Sequence, residues 1–195
     1  FRQTPSRIHT PNEMKIALDA MGGDFAPQNL VEGAVLALKE WDRTSIETLF
    51  LVGDQERITE ELRKHRFEDP RIEIVHSSVS RSVDLVKTGK ADAVVSAGHT
   101  GAAVAASHIK MRTLPGIERP AIGAIIPTET NYFVLIDAGA NTDPSPRQLV
   151  QNAIMGAAYS RHVLGYANPS IGLVSIGTED EKGNEFTREA FELLR

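Results

Sequence analysis

The 195-residue chain is 41% hydrophobic and 24% charged with a formal net charge of −5, an ordinary balance for a globular domain that faces water. The acidic balance speaks against a general nucleic-acid or anionic-membrane surface, and no apolar run approaches the roughly 20 residues of a membrane span. The absence of cysteine excludes disulfides, thiolate zinc sites and a cysteine nucleophile, and fits a reducing cytoplasm.

Residues 1–13 are polar and aperiodic and read as a disordered extension, with one α/β domain expected over 14–195 and Met14 as a natural start. Residues 15–20 predict a strand that ends in Met21-Gly22-Gly23-Asp24. Asp24 is placed to cap a helix begun by Pro27, whose apolar stripe is Leu30, Val31, Ala34, Val35 and Leu38. Residues 48–52 are the next strand, stopped by Gly53-Asp54, and 56–65 a helix. A third strand is expected over 72–75, followed by a short helix over 82–88.

Residues 92–103 form the stretch on which the rest depends. Residues 93–96 read as a short, fully buried strand because strict alternation is lacking. Gly98 and Gly101 then bracket His99-Thr100, and the Ala-rich run 102–108 continues as a helix. A strand that turns through glycine into a helix points unpaired N–H groups and a positive dipole end at whatever approaches, which favours an anion. The Thr100 hydroxyl can cap that helix or touch the ligand; a plain steric turn would use the same glycines.

Further strands are expected over 121–126 and 132–136, the second ending in Asp137-Ala138-Gly139-Ala140-Asn141. Asp143, Pro144 and Pro146 start a helix carrying Leu149, Val150, Ala153, Ile154 and Ala157. A last strand over 170–176 ends in Gly177-Thr178-Glu179-Asp180, before a helix over 185–194. Alternating strands and helices predict a mainly parallel sheet with helices on both faces, whose ligands sit beyond the carboxyl ends of the strands. Four strand ends, 19–24, 96–101, 137–141 and 177–180, combine glycine with polar groups, and a shared edge makes them one site.

Other chemistries fail on spacing. There is no G-x-G-x-x-G after the first strand, no G-x-x-x-x-G-K-S/T, no G-x-S-x-G elbow and no H-E-x-x-H. Asp19, Asp24 and Asp137 could hold a hard cation, but isolated acids at strand ends more often cap helices or bind turn amides, so no metal and no cofactor is expected.

Four segments, 14–24, 96–102, 135–143 and 177–185, occur in the order found in the phosphate:acyl-acyl-carrier-protein acyltransferase family (PlsX), which the chain resembles from Met14 to Arg195. The resemblance implies transfer of a long-chain acyl group from acyl carrier protein to inorganic phosphate, giving an acyl phosphate for phospholipid synthesis. It also implies a fold similar to the isocitrate dehydrogenase and phosphotransacetylase group, a homodimer, and peripheral contact with the membrane surface.

The residues suit such chemistry. Gly22, Gly23, Ser96, Gly98, Thr100 and Gly101 can hold phosphate through backbone and hydroxyl donors. Asn141, Thr178 and N–H groups near Gly139 and Gly177 are candidate donors to the oxyanion formed on the thioester carbonyl. His99 can serve as general base or phosphate donor, and Lys182 can neutralise phosphate charge. Asp19, Asp24, Asp137 and Asp180 would repel phosphate directly, so they are assigned to orienting donors and capping. Lys110, Arg112 and Arg119 could offer a docking patch to an acidic carrier protein, although dispersed basic residues are usually solvated surface.

The chain departs from the family pattern at His99, where the family commonly carries Asn, and in a much shorter connection between Val75 and Arg81. The 128–132 turn is also slightly short and lacks an expected glycine, and the chain stops at Arg195 inside a helix where the family continues. Two other classes stay open. One is a related enzyme of the same fold group, either a phosphotransacetylase using coenzyme A or a metal- and nicotinamide-dependent decarboxylating dehydrogenase. The other is an inactive fragment that binds acyl carrier protein.

Overall fold

Short runs of apolar and branched residues in the first half of the chain pair side by side as β1 (Met14–Asp19), β2 (Ile46–Gly53), β3 (Ile72–His76) and β4 (Ala93–Ser96). All three pairings are parallel and the strand order is β3-β2-β1-β4. The computed structural model describes residues 14–40, 45–177 and 183–195, so the expectation for 1–13 lies outside the described residues. The chain divides into two compact units, Phe1–Arg112 and Thr113–Arg195, and the parallel sheet belongs to the first.

Successive side chains of a strand point to opposite faces, and both faces of this sheet are apolar. Leu18, Leu49 and Leu51 pack on one side with Val31, Val35 and Leu38 of α1 (Gln28–Glu40) and Ile58 of α2 (Gln55–Lys64). Ala17, Phe50 and Val52 face the other way, onto Leu85 of α3 (Val79–Lys87). The expected parallel sheet with helices on both faces is what forms. The fourth helix, α4 (Thr100–Met111), lies against α3.

Two expectations in this unit are corrected. Residues 93–96 are not fully buried: β4 is the edge strand, and Val95 is 49% exposed. The third helix starts at Val79, three residues before the expected position, so only Ser77 and Ser78 separate it from β3.

In the second unit, β5 (Gly123–Pro127) and β6 (Tyr132–Ile136) form an antiparallel hairpin. Its four connecting residues, 128–131, are too few for the crossover that parallel pairing requires. Next comes α5 (Pro146–His162), opened by a capping box between Ser145 and Gln148, and then α6 (Glu185–Leu194), capped by Asn184. The strand expected over 170–176 does not form. Its apolar residues have no ladder to join among the described residues, and Ile171, Val174 and Ile176 are exposed.

Candidate active site

Asp19, the last residue of β1, stands beside Ser96, the last residue of β4. The Ser96 hydroxyl donates to Asp19 Oδ2 at 2.7 Å and accepts the Gly98 N–H at 3.2 Å. Met21 N–H donates to the other carboxylate oxygen at 3.3 Å. Asp19 is only 5% exposed, so these donors are what makes a buried carboxylate tolerable there. Ser96, expected to touch phosphate, thus has its hydroxyl engaged in holding the turn.

The two turns touch through glycine. A Cβ on Gly22 would lie 2.6 Å from Gly98 N and 2.9 Å from Gly98 Cα, closer than side-chain carbons pack. Gly23, at φ +99°, occupies the left-handed region that glycine alone adopts without strain.

Immediately beyond, α4 begins, and its cap is His99 rather than Thr100. His99 Nδ1 accepts the Ala102 N–H at 3.3 Å from an extended backbone conformation, while Thr100 is the first helical residue. A ring nitrogen that accepts carries no proton, which leaves Nε2 as the donor of that imidazole. The Ala102 N–H also reaches the His99 carbonyl at 3.0 Å, so the first-turn N–H groups that a helix start leaves outside its ladder are those of Thr100 and Gly101.

These two turns and the β3–α3 connection enclose a cavity of about 300 Å³, at the lower end of the size typical for ligand pockets. Asp19, Gly22, Gly23, Ser96, Gly98 and His99 all line it. Thr100 and Gly101 are exposed at the start of α4, and a Cβ on Gly101 would stand 3.0 Å from His99 Cε1. Asp24 is exposed four residues before α1 and is not part of the cavity wall. Ser77, Ser78, Met21, Val79 and Ala102 complete the wall without having been expected there. The available signal was position: Ser77 and Ser78 follow a parallel strand at its carboxyl end, the edge where such sheets bind ligands.

In the second unit, Asp137 closes β6. Burial would push its carboxyl up, but N–H donors of Ala140, Ile122, Asn141 and Gly139 outweigh that and hold it below the ordinary aspartate value. The four bonds measure 2.7 to 3.1 Å. The consequence corrects an expectation: the Gly139 N–H points at Asp137, so it is not free to receive an oxyanion. Asn141 is similarly engaged, its Nδ2 donating to Gln148 Oε1 at 3.1 Å and its Oδ1 accepting the Asp143 N–H at 3.3 Å. Asp137 and Asn141 line a larger, open groove of about 770 Å³ between β6, α5 and residues 168–174. Gly177 is exposed after the irregular 170–176 segment. Thr178, Asp180 and Lys182 lie outside the described residues.

Of the four glycine-bearing ends, 19–24 and 96–101 therefore share one cavity in the first unit, while 137–141 belongs to the second and 177 follows no strand. In the proposed docking patch, Lys110 is held by Asp84 at 2.9 Å, which cancels its charge locally. Among the described residues, no group of three or more His, Asp or Glu side chains could hold a metal ion, and no helix is long and apolar enough to cross a membrane.

A parallel sheet with helices on both faces, and a small cavity where glycine turns leave the strand ends, defines an α/β domain with a candidate ligand site at the edge where such sheets bind ligands. The sequence profile of the fatty acid synthesis protein family matches residues 14–78 and 73–195, and the chain belongs to that family. A phosphate acyltransferase of Gloeobacter violaceus is 46% identical over 202 aligned positions, covering 93% of this chain and 58% of the relative. One from Geobacter sulfurreducens is 45% identical, covering 93% and 57%. The chain thus spans somewhat under three-fifths of the length of these curated relatives. The EutD phosphotransacetylase from Staphylococcus aureus shares the fold, with a TM-score of 0.63 at 18% identity over 95% of this chain and 64% of that one.

The same comparisons show a difference in length. The Gloeobacter match runs over 202 positions but uses 93% of 195 residues, about 181, so the relative has about 20 positions that this chain lacks. The family profile matches in two pieces that overlap at residues 73–78, so the match breaks at the β3–α3 connection.

Proposed function

We propose that this chain supplies the phosphate-binding part of an acyltransferase that moves a long-chain acyl group from acyl carrier protein to inorganic phosphate. The observation that carries the reading is the Gly98-His99-Thr100-Gly101 turn, which opens α4 on the wall of a cavity shared with Gly22 and Gly23. Membership of the fatty acid synthesis family and the names of the relatives support it.

In this reading a phosphate oxygen attacks the thioester carbonyl carbon, the C–S bond breaks, and the carrier thiol leaves as the acyl phosphate forms. The backbone N–H groups of Thr100 and Gly101 at the start of α4 hold the phosphate, with His99 Nε2 as a further donor. Asp19 and Ser96 keep the turn in place and touch no reacting atom. Thr178 and Lys182 are the remaining candidates for the oxyanion and for phosphate charge, and Asp180 for orienting them. A homodimer and peripheral membrane contact belong to the same reading of the whole protein.

The test is acyl-phosphate formation from long-chain acyl carrier protein and phosphate, without added metal, by the natural protein carrying Met14–Arg195. Gly101→Ala crowds the His99 ring and should lower the rate about a hundredfold in a variant that still folds. Turnover of short-chain acyl-coenzyme A alone would instead favour a phosphotransacetylase, whose fold the chain shares.

A further inference from the structure

Arg57 stands in the first turn of α2, where the helix dipole disfavours a cation. Its backbone obeys the helix, the N–H donating to the Asp54 cap at 3.1 Å. Its side chain leaves the helix and donates from Nη2 to the Ala26 carbonyl, 31 residues back, at 2.8 Å. Ala26 lies at the far end of the glycine loop that joins β1 to α1.

The β2–α2 turn holds that loop at two earlier points. The Ala20 N–H donates to Val52 O at 2.9 Å, and Met21 lies so close over Gly53 that a Cβ there would come 2.6 Å from Met21 Cγ. Between these ties and Arg57 the loop has only long backbone bonds of its own, Gly22 N–H to Asp19 O and Ala26 N–H to Gly23 O, both at 3.3 Å. Two successive glycines with bonds that weak do not fix one conformation by themselves. The site needs one, because Gly22 packs on the Gly98 backbone and both line the cavity with Gly23.

We propose that Arg57 is a positioning residue for phosphate: by holding the Ala26 carbonyl it keeps Gly22 against Gly98, and with it the turn that opens α4. The inference rests on the acyl-transfer reading above. Arg57 stands outside the cavity wall, so it acts through the loop. Its removal loosens the loop without taking away a phosphate donor. Phosphate then binds more weakly and, once bound, reacts at its former rate.

The experiment measures kcat and the KM for phosphate in acyl-phosphate formation from long-chain acyl carrier protein. It compares the natural protein carrying this chain with its Arg57→Met, Arg57→Lys and Arg63→Met variants. Arg57→Met should raise the KM about fivefold and leave kcat within about twofold, the effect of losing one hydrogen bond from a charged donor. Arg57→Lys keeps a cationic donor on a long stem and should restore most of the affinity. Arg63→Met removes a positive charge from the last turn of the same helix and should leave the KM unchanged, which separates the bond from the charge. An unmoved KM in Arg57→Met overturns the proposal, even if thermal stability falls. So does an equal rise in Arg63→Met, or an Arg57→Lys variant no better than Arg57→Met. If the parent makes no acyl phosphate, the acyl-transfer reading fails and takes the positioning role with it; an active parent with an unresponsive Arg57→Met strikes the positioning role alone. Should Arg57→Met not fold, Arg57→Gln, whose stem is too short to reach the Ala26 carbonyl, is read in its place by the same outcomes.

Discussion

The hydroxyl of Ser96 and the carboxylate of Asp19, 77 residues apart in sequence and 2.7 Å apart in space, fasten the carboxyl ends of two adjacent parallel strands. Ser96→Ala removes one of the carboxylate's donors and the acceptor of the Gly98 N–H together. The expected cost is about 1–3 kcal/mol, because a buried charged group is left with fewer partners. Thermal unfolding should move down by roughly 2–4 °C for each kcal/mol lost. If Ser96 only positions the turn, its loss raises the KM for phosphate more than it lowers kcat.

Gly22 and Gly33 make a controlled pair. A methyl group on Gly22 would meet Gly98 backbone at 2.6 and 2.9 Å, and backbone cannot turn aside as a side chain can. Gly22→Ala should destabilise by about 1–3 kcal/mol through strain. Gly33 lies exposed inside α1 with nothing within 4 Å of an added Cβ. Gly33→Ala should therefore stabilise by about 0.5–1 kcal/mol through helix propensity alone. Chemical denaturation of both variants reads the two signs. A neutral Gly22→Ala would mean that the two turns do not touch.

His99 separates capping from acid–base chemistry. His99→Ala deletes the acceptor for the Ala102 N–H and should cost about 0.5–2 kcal/mol. His99→Asn keeps a side-chain oxygen at the cap and should retain the stability of the parent. If the ring's contribution is positional, acyl-phosphate formation survives in the Asn variant and drops in the Ala variant. A loss of activity in both, with stability kept in Asn, would assign the imidazole a proton-transfer role instead.

The first unit was legible because its signals are periodic. Leu30, Val31, Ala34, Val35 and Leu38 line the same side of α1, and Leu49/Leu51 against Phe50/Val52 divide β2 between two cores. Gly22 and Gly98 were legible as turns, and the parallel topology brought those turns together. What stayed hidden depends on partners distant in the chain. Residues 170–176 carry strand-like residues, but a strand exists only where a neighbour offers a ladder. Residue type could not reveal whether His99 or Thr100 caps α4, since either side chain can accept an N–H. Nor could it show that the Gly139 and Asn141 N–H groups turn inward to Asp137 instead of outward to a substrate.

That inward arrangement ties the stability of the second unit to pH. Four backbone N–H groups favour the ionised form of Asp137 and outweigh the burial that opposes it, so its folded value lies below the ordinary 3.8. A carboxyl whose value is lowered by folding contributes stability that is present above its unfolded value and is lost as pH falls through the folded one. The wild-type chain should therefore lose stability as pH drops below about 4, through protonation of a group that the fold requires charged. Asp137→Asn keeps one acceptor oxygen but places an NH₂ group where the Asn141 N–H donates at 2.7 Å. At neutral pH the variant should be less stable by about 2–3 kcal/mol, the scale of lost hydrogen bonds to a charged group. Between pH 5 and 2 the gap between wild type and variant should narrow, since protonation costs only the wild type its anion. Denaturation midpoints measured across that range decide the matter: parallel curves at every pH would show that Asp137 does not carry the acid sensitivity.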